Sequence, residues 1–221
     1  MDVNLTALDR RRFLRGAGLL AGAGLAGLTL PGVADAAVTV PRIYSCDEWG
    51  ARPPSDTLVT LDHPANRILI HHIASANSTD YSRSHAFQIC RDNQHDHMDN
   101  NMWADTGQHF TISRGGYSLE GRHGSLATLR DGTKIVRAAH CPGQNENAIG
   151  IENEGLYTSV EPPQAQWNAL VVFSAYVCKQ YGIPVEEIKG HRDFYNTECP
   201  GEKLYAKLPQ LRIEVAAALK R

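Results

Sequence analysis

The chain has 221 residues, of which 42% are hydrophobic, and its formal net charge is −2 at pH 7. This length suits one domain once a leader is removed. The chain is mildly acidic and has no basic run beyond its first 36 residues, which argues against nucleic acid as its main partner.

Residues 1–36 have the features of an export signal. Arg10 and Arg11 precede a soft apolar segment at 16–32, and the small-residue sequence ADA follows, ending at Ala36. This pattern predicts a Tat-type signal peptide that is cleaved after Ala36. An uncleaved membrane anchor is the alternative, but a stable span needs about 20 strongly apolar residues. The leader carries a net charge of +1, so its removal leaves −3.

The first half of the remaining chain alternates turn-rich and apolar segments. Residues 37–60 are polar and contain several prolines, which predicts a lead-in before a domain at 61–221. RILIHHI (67–73) predicts a buried strand that ends in two histidines. Residues 82–99 predict a helix. QHFTIS and YSLEG, joined by RGG at 114–116, predict a β-hairpin.

The second half adds strands and helices in alternation. KIVRAA (134–139) and AIGIENEG (148–155) predict two more strands. Apolar residues recur at helical spacing over 163–182 and again over 208–220, which predicts two helices. The elements together predict a single α/β domain, with a central mixed β-sheet of about five strands flanked by about three main helices.

The segment GHRDFYNTECPG (190–201) contains His191 and Cys199, eight residues apart. A cysteine in an exported protein is usually half of a disulfide. This spacing alone leaves three roles open for Cys199: disulfide half, buried thiol or metal ligand. A catalytic zinc site needs three protein ligands and one open position for water.

Two other histidine pairs bear on such a site. His71 and His72 end the predicted strand, and side chains alternate between faces along a strand, so we expect only one of them to face a site. His95 and His97 lie near a helix end, where residues two apart diverge by about 200°. We expect the latter pair to be surface polar residues.

Four motifs, in the same order, resemble the zinc N-acetylmuramoyl-L-alanine amidase / peptidoglycan recognition protein family. They are ILIHHIA, MWADTGQHFTISRGGYSLEGRHG, NAIGIENEG and GHRDFYNTECPG, and the resemblance extends over about residues 44–208. The resemblance implies the fold of that family and a zinc ion (Zn²⁺) held by His71, His191 and Cys199. The complete ligand set favours a hydrolase over the metal-free recognition members.

The resemblance also implies the groups that move protons and stabilise charge. Glu152, in IGIENEG, matches the proposed general base, and Glu154 on the same strand face is the alternative. Thr197 matches a position near the bound carbonyl oxygen, where a threonine can donate one hydrogen bond but carries no charge.

One position departs from the family pattern. Gln108 stands where many relatives have a catalytic tyrosine, and a glutamine can orient water or substrate but cannot usefully accept a proton. We expect the sugar and stem peptide to contact a group of groove residues, with two further histidines as helpers. The groove residues are His72, Trp103, Gln108 and Arg122, and the helpers are His109 and His140.

With Cys199 assigned to zinc, four cysteines remain. They are Cys46, Cys90, Cys141 and Cys178. Four cysteines permit three disulfide pairings. Cys178 lies on the apolar stripe of its helix, so a buried free thiol is equally open there.

The leader and the family resemblance together imply a Tat-exported, secreted and cell-wall-associated monomer that uses Zn²⁺ to hydrolyse peptidoglycan. The expected target is the bond between N-acetylmuramic acid and L-alanine, cleaved by a zinc-bound water that Glu152 activates. Two alternatives stay open: a protein that binds peptidoglycan without cutting it, and a zinc hydrolase of another amide. We expect no nucleic-acid partner, and no membrane partner after signal cleavage.

Overall fold

A six-stranded mixed sheet lies at the centre of the protein, and the computed structural model describes residues 38–220. The predicted signal peptide at 1–36 lies outside the described residues. The strands are β1 (Ile43–Tyr44), β2 (Thr60–Leu61), β3 (Arg67–His72), β4 (Phe110–Ile112), β5 (Ser118–Glu120), β6 (Ile135–Val136), β7 (Ala148–Asn153) and β8 (Ile188–Gly190).

The strand order in this sheet is β1-β5-β4-β7-β3-β8. β4 and β5 form the predicted antiparallel hairpin, whereas every other pair of neighbours in the sheet is parallel. β6 pairs instead with β2 in a separate antiparallel pair, so the KIVRAA segment does not join the central sheet. The mixed α/β class is therefore confirmed, with one strand more than the sequence predicts.

The helices within residues 38–220 cover both short and long segments. They are α1 (Cys46–Trp49), α2 (Arg83–His95), α3 (Ser125–Asp131), α4 (Gln164–Tyr181), α5 (Glu202–Ala206) and α6 (Leu208–Leu219). The three longest, α2, α4 and α6, correspond to the three predicted main helices. α2 continues as a π-helical turn over Asp96–Asn100, which accounts for the longer helix predicted there.

The hydrophobic core lies between the sheet and the helix pair α4 and α6, which pack against each other. Phe110 on β4 meets Phe173 on α4 with ring centroids 4.9 Å apart. Five of the six residues of β3 are buried, as expected for a parallel strand that is covered on both faces. No helix in the described part of the chain combines the length and apolar character that a membrane span requires.

All five cysteines lie within the described residues, and all are free thiols. Cys178 is buried on α4, which agrees with the buried free thiol that the sequence offered as an alternative to a disulfide. The four buried thiols are therefore packing residues in this structure.

Strand register brings three of the candidate site residues together. β3 lies between β7 and β8 and runs parallel to both. His71 is opposite Glu152, and Ile70 is opposite Gly190, the residue before His191. Because the carboxyl ends of parallel strands meet at one edge of a sheet, this edge collects all three functional side chains.

Candidate metal centre and cleft

Three side chains with metal-ligating atoms meet at the carboxyl ends of β3 and β8. One ligand atom each from His71, His191 and Cys199 lies within 4.8 Å of the other two. The His71 and His191 ring centroids are 4.4 Å apart, and Nδ1 of His71 lies 3.7 Å from Sγ of Cys199. Residues that are 128 positions apart in the chain thus form one cluster.

The chemistry of this cluster fits a zinc ion. Two imidazoles and a thiol are ligands that zinc prefers, and three protein ligands are the usual number in a catalytic site. Nε2 of His191 is buried and has no hydrogen-bond partner among the described residues. A buried nitrogen without a partner is costly in a native protein unless a ligand satisfies it.

Cys199 is held by backbone contacts at the mouth of the cluster. The His72 backbone N–H points at Sγ of Cys199 at a distance of 3.4 Å. Burial raises the pKa of the Cys199 thiol to about 12, and this N–H contact opposes the shift. Because the sulfur is shielded from water, a nearby cation is what would stabilise its thiolate form.

Glu152 lies beside His71 on the neighbouring strand. Its Oε2 accepts a hydrogen bond of 2.6 Å from the side-chain amide of Asn93 on α2. Burial raises the pKa of Glu152 to about 7, against the lowering effect of the Asn93 hydrogen bond. A carboxylate with a pKa near neutrality is well matched to general acid–base work.

Both carboxylate oxygens of Glu154, the alternative base, accept hydrogen bonds from protein groups. Its Oε1 accepts from Nε2 of His85 at 2.8 Å, and its Oε2 accepts from the backbone N–H of Arg114 at 2.8 Å. Its side chain is fully buried and does not line the cleft. The geometry thus favours Glu152 as the reactive carboxylate.

A cleft of about 420 Å³ opens over the cluster. Besides the three candidate ligands and Glu152, its lining includes His72, Trp103, His140 and Thr197. Both histidines of the His71–His72 pair face it, so the expectation that only one would do so is wrong. They end the strand, and the cleft wraps around that edge of the sheet.

Thr197 and His72 offer hydrogen-bond donors to this cleft. Oγ1 of Thr197 accepts from the Cys199 backbone N–H at 3.2 Å, which leaves the hydroxyl proton available. Nδ1 of His72 accepts from the Tyr157 backbone N–H at 3.4 Å. Burial, assisted by nearby Arg192, lowers the pKa of His72 to about 4, so the ring is neutral with its proton on Nε2.

Trp103 forms part of the cleft wall, and its ring is supported by His97, a contact that the sequence did not predict. Its ring lies on the ring of His97, with centroids 4.7 Å apart, and His97 is buried rather than on the surface as expected. A Cβ at Gly107 would come within 2.5 Å of the Trp103 ring. Nδ1 of His97 accepts from the Gly107 backbone N–H at 3.0 Å, so His97 and Gly107 together position the tryptophan.

Gln108 and Arg122 are buried away from the cleft, so the structure does not bring them to the predicted groove. Nε2 of Gln108 donates to Thr111 at 2.9 Å, and Arg122 donates to the Thr106 carbonyl at 2.7 Å. Thr111 is level with Glu152 in the sheet. Gln108 lies three residues earlier, roughly 10 Å along the strand direction.

His109 and His140, the expected helpers, are both buried, and only His140 lines the cleft. Asn93 is a site residue that the sequence analysis missed. It lies among polar residues on α2, and only the packing of α2 beside β7 shows that it reaches Glu152.

The chain matches the sequence model of the N-acetylmuramoyl-L-alanine amidase family over residues 61–202. Peptidoglycan-recognition protein LB of Drosophila melanogaster is 30% identical over 174 residues, which cover 77% of this chain and 69% of that protein.

Two further relatives extend the comparison. The N-acetylmuramoyl-L-alanine amidase of Homo sapiens is 29% identical over 169 residues, or 75% of this chain, but the match covers only 27% of the human protein. A solved structure of a Drosophila PGRP-LB variant in complex with tracheal cytotoxin is 30% identical, with a TM-score of 0.65. That match covers 76% of this chain and 92% of the solved chain.

Proposed function

Because this chain belongs to the N-acetylmuramoyl-L-alanine amidase family, we propose that it is an exported, zinc-dependent enzyme that hydrolyses the bond between N-acetylmuramic acid and L-alanine in peptidoglycan. The family includes catalytic amidases as well as proteins named for recognition. The observation that carries the enzymatic proposal is the assembly of His71, His191 and Cys199 beside Glu152 in one cleft.

The metal would be held by the two histidines and the cysteine. When bound, zinc supplies Lewis acidity, which polarises an amide carbonyl and acidifies water. Within residues 38–220, the buried Nε2 of His191 has no hydrogen-bond partner, so a bound metal would also satisfy this nitrogen.

The protein side chains then manage the proton and the developing charge. Glu152 takes a proton from the attacking water as the new C–O bond forms at the amide carbon. It returns that proton to the alanine nitrogen as the C–N bond breaks, and a pKa of about 7 suits both directions of transfer. The free hydroxyl proton of Thr197 is available to the carbonyl oxygen as its negative charge grows.

The cleft wall suits a substrate that is part sugar and part peptide. Trp103 offers an apolar face, and the neutral ring of His72 offers a donor at Nε2. The complex of a relative with tracheal cytotoxin supports a muropeptide as the ligand class. The buried positions of Gln108 and Arg122 make these two residues framework in this proposal.

The activity test is the release of stem peptides from purified sacculi. We expect mass spectrometry to detect free stem peptides and intact glycan strands. A chelator should abolish release, and added zinc should restore it. Binding to sacculi without release at any zinc level would instead identify a recognition protein, and release from other amides alone would identify a different hydrolase.

Export is tested separately from activity. We expect the mature secreted protein to begin at Ala37, as read by N-terminal sequencing. A double substitution, Arg10→Lys with Arg11→Lys, should retain the protein inside the cell, because Tat signals are read through the arginine pair. Unchanged secretion of that variant would remove the Tat assignment and leave the enzymatic proposal intact.

A further inference from the structure

A column of histidine rings extends from the candidate metal centre into the sheet. The centroid of His71 lies 4.4 Å from His191 on one side and 5.0 Å from His140 on the other. His140 in turn lies 5.6 Å from His109. His140 is not one of the three clustered ligands, yet it contacts one of them directly.

Hydrogen-bond partners determine which nitrogens in this column carry protons. Nε2 of His140 lies 3.2 Å from the carbonyl oxygen of Ala148, which can only accept, so this nitrogen is an N–H. The neutral ring then presents Nδ1 as an acceptor to Nε2 of His71 at 3.1 Å. His71 therefore carries its proton on Nε2, and its Nδ1 lone pair is left facing Sγ of Cys199.

The backbone is shaped to hold the His140 ring in this place. A Cβ at Gly150, on β7, would come within 2.5 Å of Cδ2 and 2.6 Å of Cγ of His140. The Gly150 N–H donates to Nδ1 of His109 at 3.0 Å, and Nε2 of His109 donates to the Val136 carbonyl at 2.8 Å. Glycine at position 150 thus makes room for one imidazole and anchors another.

We propose that His140 is a positioning residue that holds His71 in the Nε2–H tautomer, so that Nδ1 of His71 is the nitrogen available to the metal. This inference deepens the proposed function and rests on zinc as the bound ion. A hydrogen-bonded partner behind a metal-binding histidine fixes its ring orientation and its tautomer. Loss of such a partner typically weakens metal affinity by about 10–100-fold.

Zinc affinity, measured by competition with a chromophoric chelator, tests this role without any assay of activity. In His140→Ala the dissociation constant should rise by about 10–100-fold relative to the wild type. His140→Asn should recover most of the affinity, because its side-chain oxygen can accept the His71 N–H near the place of Nδ1. His123→Ala is the matched control, since His123 is likewise hydrogen-bonded to a neighbour but is only half-buried and lies outside the cleft.

Two results would overturn the inference. One is wild-type zinc affinity in a folded His140→Ala protein. The other is an Asn variant as weak as the Ala variant, which would mean that the ring fills space and its hydrogen bond has no role. Thermal midpoints of the zinc-free proteins show whether each variant is folded, and the Asn variant preserves the test if the Ala variant is not.

Nitrogen NMR of histidine-labelled, zinc-free wild-type protein gives an answer that needs no variant. We expect His71 with a protonated Nε2 and an unprotonated Nδ1, and the reverse assignment would refute the inference. Wild-type protein that binds zinc in this pattern but releases no stem peptides would remove the proposed function alone. Wild-type protein that binds no zinc would remove both proposals.

Discussion

Two glutamates, Glu152 near the end of β7 and Glu154 just after it, have opposite surroundings. Glu154 is fully buried, and each of its oxygens accepts a hydrogen bond from the protein, one from His85 and one from the Arg114 backbone. Glu152 has one firm partner, Asn93, and borders the cleft beside His71. A carboxylate whose lone pairs are all satisfied is thus part of the framework, whereas the carboxylate of Glu152 keeps acceptor capacity at the edge of the cleft.

The electrostatic consequence supports this contrast. Burial raises the pKa of Glu152 to about 7, which means that the environment disfavours its charge. Both carboxylate oxygens of Glu154 instead accept hydrogen bonds from the protein, and the loss of either donor would leave one of them unsatisfied. Substitution of Glu152 should therefore affect turnover, whereas substitution of Glu154 should affect the stability of the fold.

The largest effect is expected when the metal cluster itself is broken. Cys199→Ser should lose bound zinc and essentially all turnover, because a neutral hydroxyl replaces the thiolate ligand. Metal analysis of the purified protein measures the loss. Cys178→Ser is the matched control, since that thiol is buried in the core on α4, and it should keep zinc. A full zinc complement in Cys199→Ser would remove Cys199 from the ligand set.

The second largest effect is expected for Glu152→Gln, which tests the difference between the two glutamates directly. The amide cannot accept the proton of the attacking water, so kcat should fall by about 10²–10⁴-fold while zinc content stays unchanged. The free energy of unfolding should not decrease, because a neutral side chain suits a site that already disfavours charge. Steady-state kinetics and denaturant unfolding on the same preparation measure both. Full activity would mean that another group is the base.

Glu154→Gln should show the reverse pattern. Its amide group would place a donor against the Arg114 N–H or the His85 ring, where the carboxylate now accepts. Unfolding free energy should fall by about 1–3 kcal/mol, the usual cost of an unsatisfied buried group. The kcat of the folded fraction should stay within a few-fold of the wild type. A loss of turnover as deep as that of Glu152→Gln would erase the distinction between the two carboxylates.

The sequence predicts most of this arrangement where a pattern is local. Short apolar runs identify β3 and β7, and the hairpin turn identifies β4 and β5. The resemblance to a family points to His71, His191 and Cys199, and the structure brings these three together.

The remaining features depend on register and packing, which no motif encodes. Gln108 belongs to a motif shared with the family, but its position about three residues before the level of Glu152 follows from how β4 pairs with β7. Asn93 reaches Glu152 only because α2 lies beside that strand. His72 is the last residue of β3. The cleft curves around this end of the strand, so the side chains of His71 and His72 both line it although they point to opposite faces of the sheet.

The smallest effect concerns a third histidine–carboxylate pair, Asp105 with His123. The hydrogen bond to Asp105 raises the pKa of His123 above the ordinary value of 6.5, and burial opposes this. A raised pKa in the folded state means that the stabilisation is complete below about pH 6.5 and is lost as the pH rises through the folded-state value. Asp105 is fully buried and accepts a hydrogen bond from His123. We therefore expect this pair, like Glu154, to stabilise the fold rather than take part in turnover.

The measurement is the difference in unfolding free energy between wild type and His123→Asn across a pH series. We expect this difference to shrink as the pH rises above about 6.5, since only the wild type loses the charged hydrogen bond. His63→Asn, a change at an exposed histidine, is the control for the loss of an imidazole. Turnover per folded molecule should be the same in His123→Asn and wild type. A pH-independent difference for His123→Asn would show that the pair is not charged in the folded protein, and a fall in turnover would place it with Glu152 instead.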